Sequence, residues 1–170
     1  MRRKPKVMPP GMQQLCDLFE LFLNHYKTGL MCFFSDTVPF PDSEKLSELT
    51  CAPYKTEALG VRVQGGPDIS YAQMVAERVM PIEQLLKKYG GIERFRTTFK
   101  LYEITEPGQA QVLKDLSKIG SLKFKNLEAV AEAHGSTPAA IRRKKKHAIV
   151  MIADDLFWRR YEDIKIGGTD

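Results

Sequence analysis

Residues 127–149 read LEAVAEAHGSTPAAIRRKKKHAI, and their spacing decides how the C-terminal part of the chain folds. Asn126 is placed to cap a helix whose inner face is Leu127, Val130 and Ala131. Gly135 follows, at the point where a short turn between two helices needs a residue at positive φ. Ser136 and Thr137 can cap a second helix, with Pro138 in its first turn, where a missing N–H costs nothing. Ile141 then points back toward the first helix. Two helices crossing at roughly 90–120° need a small side chain where they touch, and Ala131 supplies it. With that small core fixed, Thr137, Ala139, Arg142, Arg143 and Lys146 face outward. The pattern predicts a helix-turn-helix whose second helix suits the major groove of duplex DNA.

The charge distribution points the same way. The chain has 170 residues and a formal net charge of +5. Residues 1–86 hold nine Lys/Arg against ten Asp/Glu, whereas residues 87–170 hold seventeen against eleven. The excess peaks in Arg142-Arg143-Lys144-Lys145-Lys146, so a polyanionic partner is expected on that half. Arginine reads guanine through paired hydrogen bonds, which assigns Arg142 and Arg143, with Thr137 and Ala139, to bases. Lys123, Lys125, Lys144, Lys145 and Lys146 are assigned to phosphates.

The rest of the chain reads as helical. Residues 1–11 carry four positive charges and three prolines and predict a flexible basic arm, in which Arg2, Arg3 and Lys4 add backbone or minor-groove contacts. Residues 12–105 form a helical N-terminal region. Leu15, Leu18, Phe19, Phe22 and Leu23 mark an amphipathic helix from Gln13 to about His25. Leu30 to Phe34 is an apolar block of either type. Residues 36–67 read as a connector with a short strand at 59–63. A helix opens near Asp68 and runs through Leu86, kinked or divided at Pro81. Ile92 to Ile104 is a short helical or mixed element, Glu106-Pro107-Gly108 a turn, and Gln109 to Ile119 a helix. Residues 106–164 make up the helix-turn-helix region. Beyond Ile141, the residues Ala148, Ile149, Ile152, Leu156 and Phe157 extend an apolar stripe, so the second helix continues to about Trp158. That stripe either packs on the N-terminal helices or pairs with a second copy of the chain. Lys165 to Asp170 reads as a frayed end.

Over about residues 110–158 the chain resembles the fourth conserved region of bacterial sigma factors. There too a helix, a glycine turn and a Ser/Thr-Pro start lead into an Ile-Arg-Arg helix. It is also similar to phage late-gene transcription regulators of the autolysin-regulator (ArpU-like) kind. Ile141-Arg-Arg-Lys-Lys-Lys-His-Ala-Ile followed by Ile152-Ala-Asp-Asp-Leu matches the basic run and apolar tail of that group. The resemblance implies a sequence-specific double-stranded DNA-binding transcription regulator of phage or prophage origin. The chain departs from the pattern at His134 and Ser136, which flank the glycine where apolar residues are usual, and at Lys144, where many such motifs place an aliphatic residue.

Other chemistry finds little support. The thiols Cys16, Cys32 and Cys51 lack chelating spacing, even with His25 added, and read as free and buried. Gly65-Gly66-Pro67 has no lysine placed to cradle a phosphate and reads as a turn. His25, His134 and His147 sit in no nucleophile motif, and Asp154-Asp155 read as helix-surface carboxylates. His147 reads as a surface residue or a phosphate contact. Neither enzymatic activity nor a cofactor or metal is expected. No apolar run is long enough to span a bilayer and no export signal is apparent, which predicts a cytoplasmic protein without membrane contact. The expected fold class is mainly α, with an N-terminal helical region and a C-terminal helix-turn-helix. The expected partners are double-stranded DNA and, through the tail, a second copy of the chain. Two further readings fit the same residues: a module that docks on RNA polymerase or a sigma factor, and the small subunit of a phage DNA-packaging terminase.

Overall fold

The computed structural model describes residues 7–50 and 79–167. Among these residues the protein is mainly α, with eight helices and no strand. We label them α1 (Pro10–His25), α2 (Met31–Phe34), α3 (Ser43–Thr50), α4 (Met80–Lys88), α5 (Ile92–Thr105), α6 (Pro107–Ser117), α7 (Leu127–Ala133) and α8 (Pro138–Gly167). The arm residues Arg2, Arg3 and Lys4, Cys51, the strand at 59–63, the Gly65-Gly66-Pro67 turn and the helix start near Asp68 lie outside the described residues. So do residues 168–170 of the expected frayed end.

The apolar spacing of α1 produces the main core. Leu15, Leu18, Phe19, Leu21 and Phe22 are each fully buried. Phe19 meets the rings of Phe33, Phe95 and Phe99 edge-on, at centroid distances of 5.8, 6.0 and 5.2 Å. Each such ring contributes about 1.5–3 kcal/mol by leaving water, and the edge-to-face geometry suits its quadrupole. The apolar block at Leu30 to Phe34 thus becomes one helical turn, α2, that inserts Phe33 between α1 and α5. Arg96 of α5 fastens this turn, donating from Nε to the Cys32 carbonyl at 3.1 Å and from Nη2 to the Val38 carbonyl at 3.2 Å. Beside it Lys100 donates to Asp36 at 2.7 Å, which holds that carboxyl below its ordinary range.

Several boundaries differ from the sequence reading. Proline opens α1 and α6, so Pro10 and Pro107 sit in first turns, while Pro81 in the first turn of α4 agrees with a helix divided there. The expected turn at Glu106-Pro107-Gly108 is therefore the beginning of α6. Helix α3 falls inside the stretch read as connector, where Asp42 Oδ1 accepts the Lys45 N–H at 3.0 Å. The mixed element after Ile92 is wholly helical to Thr105, and α8 continues past Trp158 to Gly167.

Two clusters share α6 and α8. The larger takes Ala110 and Leu113 from α6 and Ala148, Ile149, Ile152, Ala153 and Leu156 from α8, packing them on α1. The smaller consists of Val112, Leu116, Phe124, Val130, Ala131 and Ile141. The apolar stripe of α8 is thus buried within the chain, against its N-terminal helices. Gln109 Oε1 joins three helices, accepting from Tyr102 Oη at 2.8 Å and from His147 Nδ1 at 3.1 Å.

Candidate nucleic-acid interface

Helices α7 and α8 are set against α6 by the smaller cluster. Asn126 accepts the Ala129 N–H on Oδ1 at 3.0 Å, so the cap expected from its identity is made. The chain leaves α7 at His134 and enters α8 at Pro138. Gly135 turns it with φ of 58°, a left-handed value that any side chain would strain. The Ser136 N–H reaches back to the Ala131 carbonyl at 2.9 Å, and Thr137 Oγ1 accepts the Ala140 N–H at 3.2 Å. Ala131 and Ile141 are buried, at 2% and 0% exposure, where the small contact residue and its branched partner were expected.

His134 explains its own departure from the apolar pattern. Its Nε2 donates to Asp115 Oδ2 at 2.8 Å, and Asp115 Oδ1 accepts from Gln111 Nε2 at 2.9 Å. Asp115 is a buried carboxylate on α6, at 5% exposure. The turn before α8 is therefore tied to α6 by a polar clasp rather than by apolar packing. The signal for Asp115 in the sequence is a charged residue set beside the apolar series Val112, Leu113 and Leu116.

Helical geometry divides the basic run. Ala139, Arg142, Arg143 and Lys146 are spaced by three and four residues, so they share one stripe, and all four are exposed. Thr137 and Lys144 are exposed as well. Arg142, Arg143, Lys144 and Lys146 form no ion pair among the described residues. Lys145 differs: its Nζ lies 3.2 Å from Glu20 Oε2 on α1, with both side chains 23% exposed. Lys123 and Lys125 are exposed in the loop between α6 and α7, with the Lys123 ammonium over the Phe124 ring at 5.2 Å.

Trp158 Nε1 donates to Asp154 Oδ1 at 2.9 Å, and no group of three metal-ligating side chains occurs among the described residues. Cys16 and Cys32 are free and buried, and burial pushes their thiols up to about 11 and about 12. No described helix is long and apolar enough to cross a membrane. The chain matches no family model, no curated protein and no solved structure.

Proposed function

We propose that α6, α7 and α8 form a helix-turn-helix unit that binds double-stranded DNA sequence-specifically to regulate transcription. The observation that carries the reading is the exposed stripe Ala139, Arg142, Arg143 and Lys146, on the side of α8 away from the buried Ile141. From Ala139 to Lys146 it extends ~10 Å along the helix, close to the ~12 Å width of the major groove. From Ala148 onward α8 is anchored in the core, so only its first turns are free to enter a groove. In this reading Arg142 and Arg143 read bases, Thr137 and Ala139 border them, and Lys144, Lys146, Lys123 and Lys125 neutralise phosphates. Lys145 is engaged with Glu20 and holds α8 on α1.

The test is duplex binding across a salt series, followed by selection of a preferred site from random duplexes. Wild type binds with an affinity that falls steeply as salt rises. Arg142→Ala costs about 1–3 kcal/mol on the selected site and less on random duplex. Equal losses on both remove the base-reading role from Arg142. Absence of duplex binding at low salt overturns the proposal.

A further inference from the structure

The flank of α8 that carries Ile141, Arg142 and Lys145 borders a cleft of about 880 Å³. Its walls are the C-terminal ends of α1 and α6 and the early turns of α7 and α8. Leu23, Leu116, Leu127 and Ile141 give it an apolar floor. Lys27, Lys118, Arg142 and Lys145 also line it, and no Asp or Glu does. Lys27 and Lys118 follow the ends of α1 and α6, where a cation complements the helix dipole without any ligand. Arg142 lies in the interior of α8, where the dipole does not call for it. Lys145 is balanced by Glu20, which leaves three cations at the cleft without an acidic partner among the described residues. Thr28 also lines the cleft, and its Oγ1 is buried beside it with no hydrogen-bond partner among the described residues. A volume in this range holds a molecule of tens of atoms.

A neutral apolar molecule would leave the cations unused, and an inorganic anion would leave the floor wetted. We propose that the cleft binds a small organic carboxylate with an apolar body, its carboxylate held by Lys27, Lys118 and Arg142 and its body laid on Leu23, Leu116 and Ile141. Because Arg142 borders both the cleft and the outer stripe, occupancy draws its guanidinium away from the stripe and weakens duplex binding. That coupling rests on the DNA-binding reading above, whereas the site itself does not.

The test is calorimetric titration of the full chain, without DNA, using 1-naphthoate, neutral 1-naphthalenemethanol and inorganic phosphate. Naphthoate is expected to bind one-to-one and about tenfold or more tighter than either control, with amide NMR shifts concentrated at Thr28 and Ser117. Lys27→Ala/Lys118→Ala, whose helicity is checked by circular dichroism, weakens it about tenfold, and Lys118→Glu alone does the same. No binding up to millimolar naphthoate, equal binding of the alcohol, or unchanged affinity in both variants overturns the site. Saturating naphthoate is then expected to weaken duplex binding about threefold or more in wild type and not in the double variant. Unchanged duplex affinity overturns the coupling and leaves the site standing. Absence of duplex binding altogether overturns the function proposed above and the coupling with it, while the titration still judges the cleft.

Discussion

Replacing His134 by leucine is expected to destabilise the protein although it adds apolar surface. The side chain of Asp115 is 7% exposed and that of His134 is 19% exposed, so water reaches the carboxylate poorly. His134→Leu removes the donor 2.8 Å from Asp115 Oδ2 and leaves that oxygen buried with nothing to accept. An orphaned buried acceptor costs roughly 1–3 kcal/mol, and a carboxylate belongs in the upper half of that range. Asp115→Leu costs less, about 1 kcal/mol, because His134 is partly wetted and Gln111 is free to turn to solvent. Replacing both partners leaves neither group orphaned, so the double variant is expected near the wild type, within about 1 kcal/mol. Urea unfolding of the four proteins gives the coupling as a double-mutant cycle, with an expected interaction of about 2–4 kcal/mol. If the double variant instead loses the sum of the single losses, the clasp carries no energy and the account of His134 fails.

Three more outcomes follow from the same packing. Gly29 and Gly135 have similar φ values of 52° and 58°, but a Cβ on Gly29 would lie 2.6 Å from Ser117 Oγ, whereas nothing lies within 4 Å of one on Gly135. Gly135→Ala should then cost about 1 kcal/mol and Gly29→Ala roughly 2–4 kcal/mol, read as melting temperatures. Equal losses would show that Ser117 moves aside. Burial raises the Cys16 and Cys32 thiols, so the thiolate fraction falls, to about one part in a thousand or less at pH 8. Both should resist iodoacetamide until urea unfolds the chain, as peptide mass spectrometry can check. Lys146→Ala should lower the salt slope of duplex binding by about 1 and leave stability unchanged, whereas Lys145→Ala should do the reverse, losing up to ~1 kcal/mol of stability. Identical salt slopes for the two variants would remove the distinction between them.

The helical character was legible because the apolar residues of α1, α6 and α8 recur at three and four positions, a period no strand can bury. What misled was proline. Read as part of a turn at Pro107, it opens a helix there, because the first turn lacks partners for its N–H groups in any case. The same habit hid α3. Pro39 and Pro41 made the stretch look like a connector, although Asp42 and Ser43 announce a cap and Leu46 and Leu49 follow at helical spacing. The order in which Phe19, Phe33, Phe95 and Phe99 meet was not legible at all, since α2 packs on α5 across some sixty residues of chain.

The basic run shows why composition and position fall short of function. Five consecutive cations, Arg142 to Lys146, advance about 100° per residue and so surround a helix instead of marking one side of it. Their roles are set by the phase of the helix, and that phase is set by apolar residues on either side of them. Ile141 is drawn into the small cluster by Val130 and Ala131, while Ala148 and Ile149 are drawn into the main core by α1. Between those anchors Lys145 is turned inward to Glu20, and Arg142, Arg143 and Lys146 are left outside. Glu20 lies far from the run in sequence, on a helix that spacing alone could not orient against α8. The candidate interface is thus a property of the N-terminal helices as much as of the motif, because α1 fixes the face that α8 shows to solvent. This also gives the cleft its chemistry, since the same rotation puts Arg142 and Lys145 in the lining that includes Lys27 and Lys118.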